Sequence, residues 1–304
     1  MKKIFFALIA VVAMVSCSKD EVIDYNKQAI AFGDVFVDNA TRADYSNGQD
    51  LEQFNVYGIV KGTMNGTGTV NIIAGIPETG SVGSDVWSYD AQYAQYWIPG
   101  ADYNFAAVVD ATVTAPDSSY GMPTALTTVA DNTMNLKDMF YAEASVVGTD
   151  VTDTYNEPVN FTFNHLLSKV HFTVTSNAQG GYYHTVTDIS VSNFQSGTFT
   201  LDNAITPAVI DAGTWAGNTA KDIAFADIAE VTNTGAKSNA DMLLVPNAAT
   251  FNVKFTVNLY KDDTEGDILL GTQTKTVPVT IEDAQDEVVG LQKGHAYNFT
   301  IACS

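Results

Sequence analysis

Residues 251–257 read FNVKFTV, with apolar side chains at Phe251, Val253, Phe255 and Val257 and polar ones at Asn252, Lys254 and Thr256. A period of two sends these two sets to opposite faces of a pleated strand, one dry and one wet. The same texture runs from residue 28 to the end: short stretches rich in valine, threonine, phenylalanine and tyrosine, separated by glycine, asparagine and aspartate. Strands are predicted at 54–60 (FNVYGIV), 103–109 (YNFAAVV), 189–194, 197–201, 242–245, 251–260, 273–281 and 296–303. Residues 161–174 (FTFNHLLSKVHFTV) are long enough for two strands or one with a bulge. Residues 132–143 (NTMNLKDMFYAE) suit a helical turn or two, and no stretch carries a sustained helical repeat with caps. Half-buried strands must cover one another, so such a chain is all-β and folds as β-sandwiches.

The N-terminus has a different character. Met1-Lys2-Lys3 precedes an unbroken apolar run over residues 4–15, too short to span a bilayer as a mature helix. A charged start and a short apolar stretch read as a secretory signal. The run closes in Met14-Val15-Ser16-Cys17, which resembles a bacterial lipobox, with methionine where leucine is usual. By that resemblance Cys17 is the acylated N-terminus, and several acyl chains anchor a protein far more firmly than one. Ser18-Lys19-Asp20-Glu21 resembles the surface-export signal of Bacteroidetes lipoproteins. The expected organisation is a signal peptide at 1–16, an N-terminal linker segment at 17–42, a first sandwich at 43–157 and a second at 158–304. The last boundary falls in a polar stretch, 151–158 (VTDTYNEP), which ends in proline.

Charge and chemistry narrow the function. The chain has 14 basic and 35 acidic residues, a net charge of −21. That balance excludes nucleic acid as a partner and excludes binding to anionic lipid by charge. With Cys17 acylated, Cys303 is the one cysteine left, so no disulfide within the chain is available. His165, His171, His184 and His295 show no zinc spacing. Residues 262–267 (DDTEGD) lack the ligand ladder of a calcium loop and read as a hairpin turn. There is no nucleophile elbow, no phosphate loop and no singled-out carboxylate pair. The chain is expected to have no catalytic residue, no metal and no cofactor.

Four stretches together carry a family likeness. They are Tyr96-Trp97-Ile98-Pro99-Gly100 followed by Tyr103-Asn104-Phe105, then Phe163-Asn164-His165-Leu166-Leu167-Ser168-Lys169-Val170, then Leu243-Leu244-Val245-Pro246-Asn247, and finally Lys293-Gly294-His295-Ala296-Tyr297-Asn298-Phe299-Thr300-Ile301. With the lipobox and Ala40-Thr41-Arg42-Ala43 they resemble, in order, the fimbrillin-like (FimA/Mfa-like) family of Bacteroidetes lipoproteins, the subunits of type V pili. On packing grounds Tyr96, Trp97 and Phe105 are expected to anchor the first core, Pro99-Gly100 to turn the chain, and Gly294 to bend it before the last strand.

The resemblance implies two transthyretin-like β-sandwiches in tandem and a precursor carried to the outer membrane. It also implies an arginine-specific protease that cuts between Arg42 and Ala43. Arg42 is the only arginine in the chain. The cut releases a first strand, IAFGDVFV at 30–37, whose Ile30, Phe32, Val35, Phe36 and Val37 are the candidate plug. A strand from another fimbrial subunit then fills the groove. Shaft subunits of the family supply that donor from a C-terminal appendage. Here Tyr297, Phe299 and Ile301 lie either in the last strand's own sheet, which suits a tip subunit, or in a donor strand. The competing functional readings are a monomeric surface lipoprotein that binds glycans through Trp87, Tyr93 or Trp215, and a secreted hydrolase.

Overall fold

The computed structural model describes residues 28–37, 51, 53–63, 66–79, 87–114, 122–130, 136–152, 155–201, 213–247 and 250–304. Among them the one helical element is a short 3-10 turn, Ala91–Tyr93, and the rest of the regular structure is strand. The protein is an all-β sandwich fold.

The first sheet has six strands: β1 (Phe32–Val37), β2 (Gln53–Thr63), β3 (Gly66–Thr79), β4 (Asp102–Val109), β7 (Phe140–Val146) and β8 (Val159–His165). Their order is β1-β8-β7-β4-β2-β3. All neighbours are antiparallel except β1 and β8, which run parallel. A four-stranded sheet, order β12-β11-β6-β5, joins β5 (Ala111–Val113) and β6 (Ala125–Thr128) to β11 (Gly197–Thr200) and β12 (Thr214–Gly217). Strands from both halves of the sequence thus share one sheet.

Two sheets build the remaining sandwich. One is four strands wide, β13 (Ala220–Ala224), β10 (Tyr182–Phe194), β17 (Phe251–Lys261) and β18 (Ile268–Val279), with β14 (Ile228–Val231) also on β10. The other centres on β9 (Ser168–Ser176). Short β15 (Lys237–Ser238) and β16 (Met242–Leu244) pair with β9 antiparallel, and β19 (Ala296–Cys303) pairs with it parallel.

Three apolar clusters result. Alternate residues of β4 serve two of them. Tyr103, Phe105, Ala107 and Val109 face one core, with Phe32, Phe161 and Phe163. Ala106 and Val108 face another, with Tyr141, Leu126 and Phe199. At β4 the six-stranded sheet is therefore dry on both sides, whereas β8 turns Asn160 and Thr162 to solvent. The third core packs Val170, Phe172 and Val174 of β9 against Val186, Val191, Val253 and Phe255.

Some expectations are met here and others change. Residues 161–174 form two strands in different sheets, β8 and β9, and the chain crosses between them through buried Leu166 and Leu167. That crossing lies downstream of the polar stretch at 151–158. Phe140 to Glu143, expected in a helical turn, are the start of β7, because Phe140, Tyr141 and Ala142 each find a dry environment in the sheet. Tyr96 is 46% exposed and lies outside the core, whereas Trp97 and Phe105 are buried as expected. Residues 262–267 do form the β17–β18 hairpin turn, and Gly294 takes a left-handed φ of 72° before β19.

One buried acid makes stability depend on pH. Glu143 faces the same core as Tyr141, whose hydroxyl donates to Glu143 Oε1. Burial pushes the Glu143 carboxyl from 4.5 up to about 7, against the opposing pull of that hydrogen bond. The folded state then holds a proton that the unfolded chain releases, so stability falls as pH rises through this window. Glu143→Gln should remove the fall and make the protein more stable at pH 8 by about 1–2 kcal/mol, discounted for partial exposure. Urea unfolding at pH 5 and pH 8 reads both effects.

Candidate functional site

The site is built around residues 28–37. Strand β1 lies at the edge of the six-stranded sheet and pairs with β8 as Phe32↔Val159, Val35↔Phe161, Phe36↔Thr162 and Val37↔Phe163. Just upstream, the chain is gripped from its other side by residues 87–97. The Ile30 N–H donates to Gln95 O at 2.8 Å, the Trp97 N–H to Gln28 O at 3.1 Å, and the Trp87 N–H to Phe32 O at 3.0 Å. Tyr89 Oη donates to Ile30 O at 2.6 Å, and the Val159 N–H donates to Ala31 O at 2.8 Å. Residues 28–32 thus occupy a slot with hydrogen-bonding walls on both sides.

The slot is aromatic. Phe32 is fully buried, with ring centroids 5.8 Å from Phe105, 5.8 Å from Phe161 and 6.0 Å from Tyr89. Ile30 and Val35 are buried in the same core. Trp97, from the YWIPG stretch, stacks edge-on against Tyr103 at 4.8 Å and Tyr155 at 4.9 Å, and Tyr103 Oη accepts the Ile98 N–H at 2.6 Å. That explains the spacing of YWIPG and YNF: one hydroxyl ties the turn to the strand whose ring supports the tryptophan.

A strict period of two from Ile30 and Phe32 would turn Asp34 inward. Instead the register shifts between Phe32 and Val35, and Val35 faces the core. Gly33 permits the shift by close approach: a Cβ there would lie 2.6 Å from Asn160 Oδ1 and 2.9 Å from Pro158. A glycine inside a strand-like run was the available signal of this bulge. Phe36 and Val37 are paired through their backbones, and their side chains lie outside the described residues. Arg42, Ala43 and Cys17 also lie outside the described residues.

Filling the slot stabilises the fold. Each fully buried apolar side chain contributes about 1.5–3 kcal/mol, and Ile30, Phe32 and Val35 supply three. Removing the segment would also strip partners from the Trp87, Trp97 and Val159 N–H groups, and unmade buried hydrogen bonds are costly. A replacement must therefore bring both apolar side chains and a free backbone edge.

The other expected site residues sit elsewhere. Tyr297, Phe299 and Ile301 belong to β19, which matches β9 residue for residue from Ala296↔Lys169 to Cys303↔Ser176. Ile301 is buried, as is the free thiol of Cys303. The histidines are engaged locally: His165 Nδ1 with Asp138 at 2.9 Å, His171 with Asp241 at 2.9 Å, His184 with Ser176 Oγ at 2.8 Å and His295 with Lys293 O at 2.9 Å. Lys169, 7% exposed at its side chain, is held by Asp241 at 2.8 Å. The FNHLLSKV stretch therefore carries structural ion pairs at a sheet crossing. Of the aromatics expected to meet glycans, Trp87 is 2% exposed and buried against Phe54, and the Trp215 ring packs on Phe199. Trp87 serves the core, Trp215 is partly buried at the edge of one, and Tyr93 is open to solvent.

A family profile described as fimbrillin-like matches residues 41–304. No curated protein sequence matches the chain. Among solved structures, a candidate cell adhesion protein from Bacteroides ovatus has a TM-score of 0.52 at 12% identity, over 91% of this chain and 92% of that one. A candidate cell adhesion protein from Bacteroides uniformis has a TM-score of 0.50 at 17% identity, over 91% of this chain and 94% of that one. These likenesses speak for the fold, and the profile covers nearly the whole chain: the protein belongs to the fimbrillin-like family.

Proposed function

We infer that the protein is a structural adhesion subunit of a cell-surface fimbria, matured by proteolysis and assembled by strand exchange. In this reading the precursor is lipidated at Cys17 at the outer membrane. An arginine-specific protease then cuts after Arg42, and residues 28–37 leave their slot. The strand of another subunit takes their place. The role is structural, without catalysis. The observation that carries it is the slot itself: an edge strand whose apolar side chains plug an aromatic core lies five residues upstream of the chain's only arginine. The fimbrillin-like profile supports the same reading.

In this reading β19 belongs to the subunit's own sheet. A donor strand made of Tyr297, Phe299 and Ile301 would have to abandon its whole pairing with β9 and uncover the third core. That supports an acceptor role, and the place we propose for the subunit is tip-like.

The deciding experiment is limited digestion of the soluble chain with an arginine-specific protease, followed by intact mass and gel filtration with and without a candidate donor subunit. We expect one cut, after Arg42, loss of the N-terminal segment and capture of the donor. Arg42→Lys should abolish the cut and the capture while leaving the melting temperature unchanged. A cut that releases nothing and changes no association, or cut protein that polymerises alone, would overturn the scheme. Phe32→Ala should lower the stability of the uncut protein by about 3–5 kcal/mol in urea unfolding, and should speed release of the segment once cut.

A further inference from the structure

The two sheets of the β9–β19 sandwich are unequal. The sheet formed by β13, β10, β17 and β18 is four strands wide, and its partner is three, with β15 and β16 sharing one edge of β9 and β19 on the other. The missing strand position lies beside β19 and opposite β18. The inner face there can be read from register. Val253 pairs with Val277, Phe255 with Lys275 and Val257 with Gln273, and directly paired residues share a face. Phe255 is buried, yet Val277 is 40% exposed and Lys275 and Gln273 are exposed too. Between this uncovered stretch and β19 lies a groove of about 650 Å³.

The groove has an unpaired backbone edge. His295 O accepts the Lys169 N–H, and Cys303 O accepts the Asn177 N–H. Backbone groups alternate direction along a strand, so odd-numbered residues of β19 turn theirs toward β9. Those of Asn298, Thr300 and Ala302 turn to the open side, where β19 has no strand partner among the described residues. A strand edge beside an apolar floor is what a further strand requires.

Charge defines what that strand carries. The chain has 35 acidic residues, but no aspartate or glutamate lines the groove. Its floor holds one lysine, Lys275, which forms no ion pair among the described residues. We propose that this groove is a second strand-docking site, open without any proteolytic cut. It takes an extended segment of a different polypeptide, not a second copy of this chain, apolar at alternate positions and with a carboxylate opposite Lys275. This site is independent of the slot that residues 28–37 fill.

The test uses the uncleavable full chain, Arg42→Lys, so that failure of the maturation scheme cannot affect it. The probe is a capped peptide as long as β19, 8 residues, alternating valine and threonine with one central glutamate. Amide hydrogen exchange at Asn298, Thr300 and Ala302 should slow about tenfold or more at saturation, with exchange in β1 unchanged. Lys275→Glu, at an exposed position, should weaken the peptide about threefold, and Val277→Asp should weaken it further without changing the melting temperature. Three results would overturn the proposal. One is binding that leaves those amides unprotected, or no binding at all. Another is protection already present in the isolated chain, meaning that the chain fills its own groove. The third is protection that grows with protein concentration alone, meaning that a second copy does so.

Discussion

The contact between Phe32 and the rings of Phe105 and Phe161 joins the outermost strand of the first sheet to its centre. Phe105 belongs to β4, in the middle of the sheet, and Phe161 to β8, which carries β1 on its flank. Aromatic rings at these separations pack closely and bury large apolar area. The tryptophans of residues 87–97 complete the same core, Trp87 against Phe54 and Trp97 against Tyr103. Because β4, which carries Phe105, is dry on both faces, the centre of the sheet cannot relax into solvent when one side is disturbed. A vacancy at Phe32 is therefore felt across the core.

The all-β character was legible because it rests on local periodicity. FNVKFTV alternates in the sequence and alternates in β17, with Phe251, Val253 and Phe255 buried and Asn252 and Lys254 exposed. The plug was legible for the same reason, as far as Ile30 and Phe32. Pairings between distant strands were not. That β6 joins β11, or that β9 takes β19 in parallel, depends on contacts across more than seventy residues, which leave no local pattern. The bulge at Gly33 has a local sign, but its consequence, Val35 inward, depends on Asn160 and Pro158 of another strand. Within the helical expectation at 132–143, residues 140–143 form strand instead because the tertiary environment of Phe140 and Tyr141 outweighs the propensity of their neighbours.

The motif residues divide into two kinds. Trp97, Tyr103, Phe163 and Gly294 serve packing and turns. His165, Lys169 and His171 are polar groups kept near buried positions, each answered by a carboxylate, Asp138 or Asp241. Paired in this way, the buried Lys169 ammonium recovers part of the cost of leaving water. In a chain of net charge −21 these basic groups sit where the acids can reach them, and much of the remaining negative charge is left to the surface.

The parallel sense of β1 and β8 has a consequence for the strand exchange proposed above. Two parallel strands cannot be joined by a tight turn, so β1 is tethered to its slot from afar rather than as half of a hairpin. It lies at the end of the sheet, and its departure leaves the ladder from β8 to β3 uninterrupted. A replacement that keeps the same sense enters with a fixed polarity, since its reverse would present a different hydrogen-bonding pattern to β8. Every junction made in this way points in one direction. The contact would then be heterologous, with different surfaces on its two sides, and such a contact gives an open filament unless its rotation closes a ring.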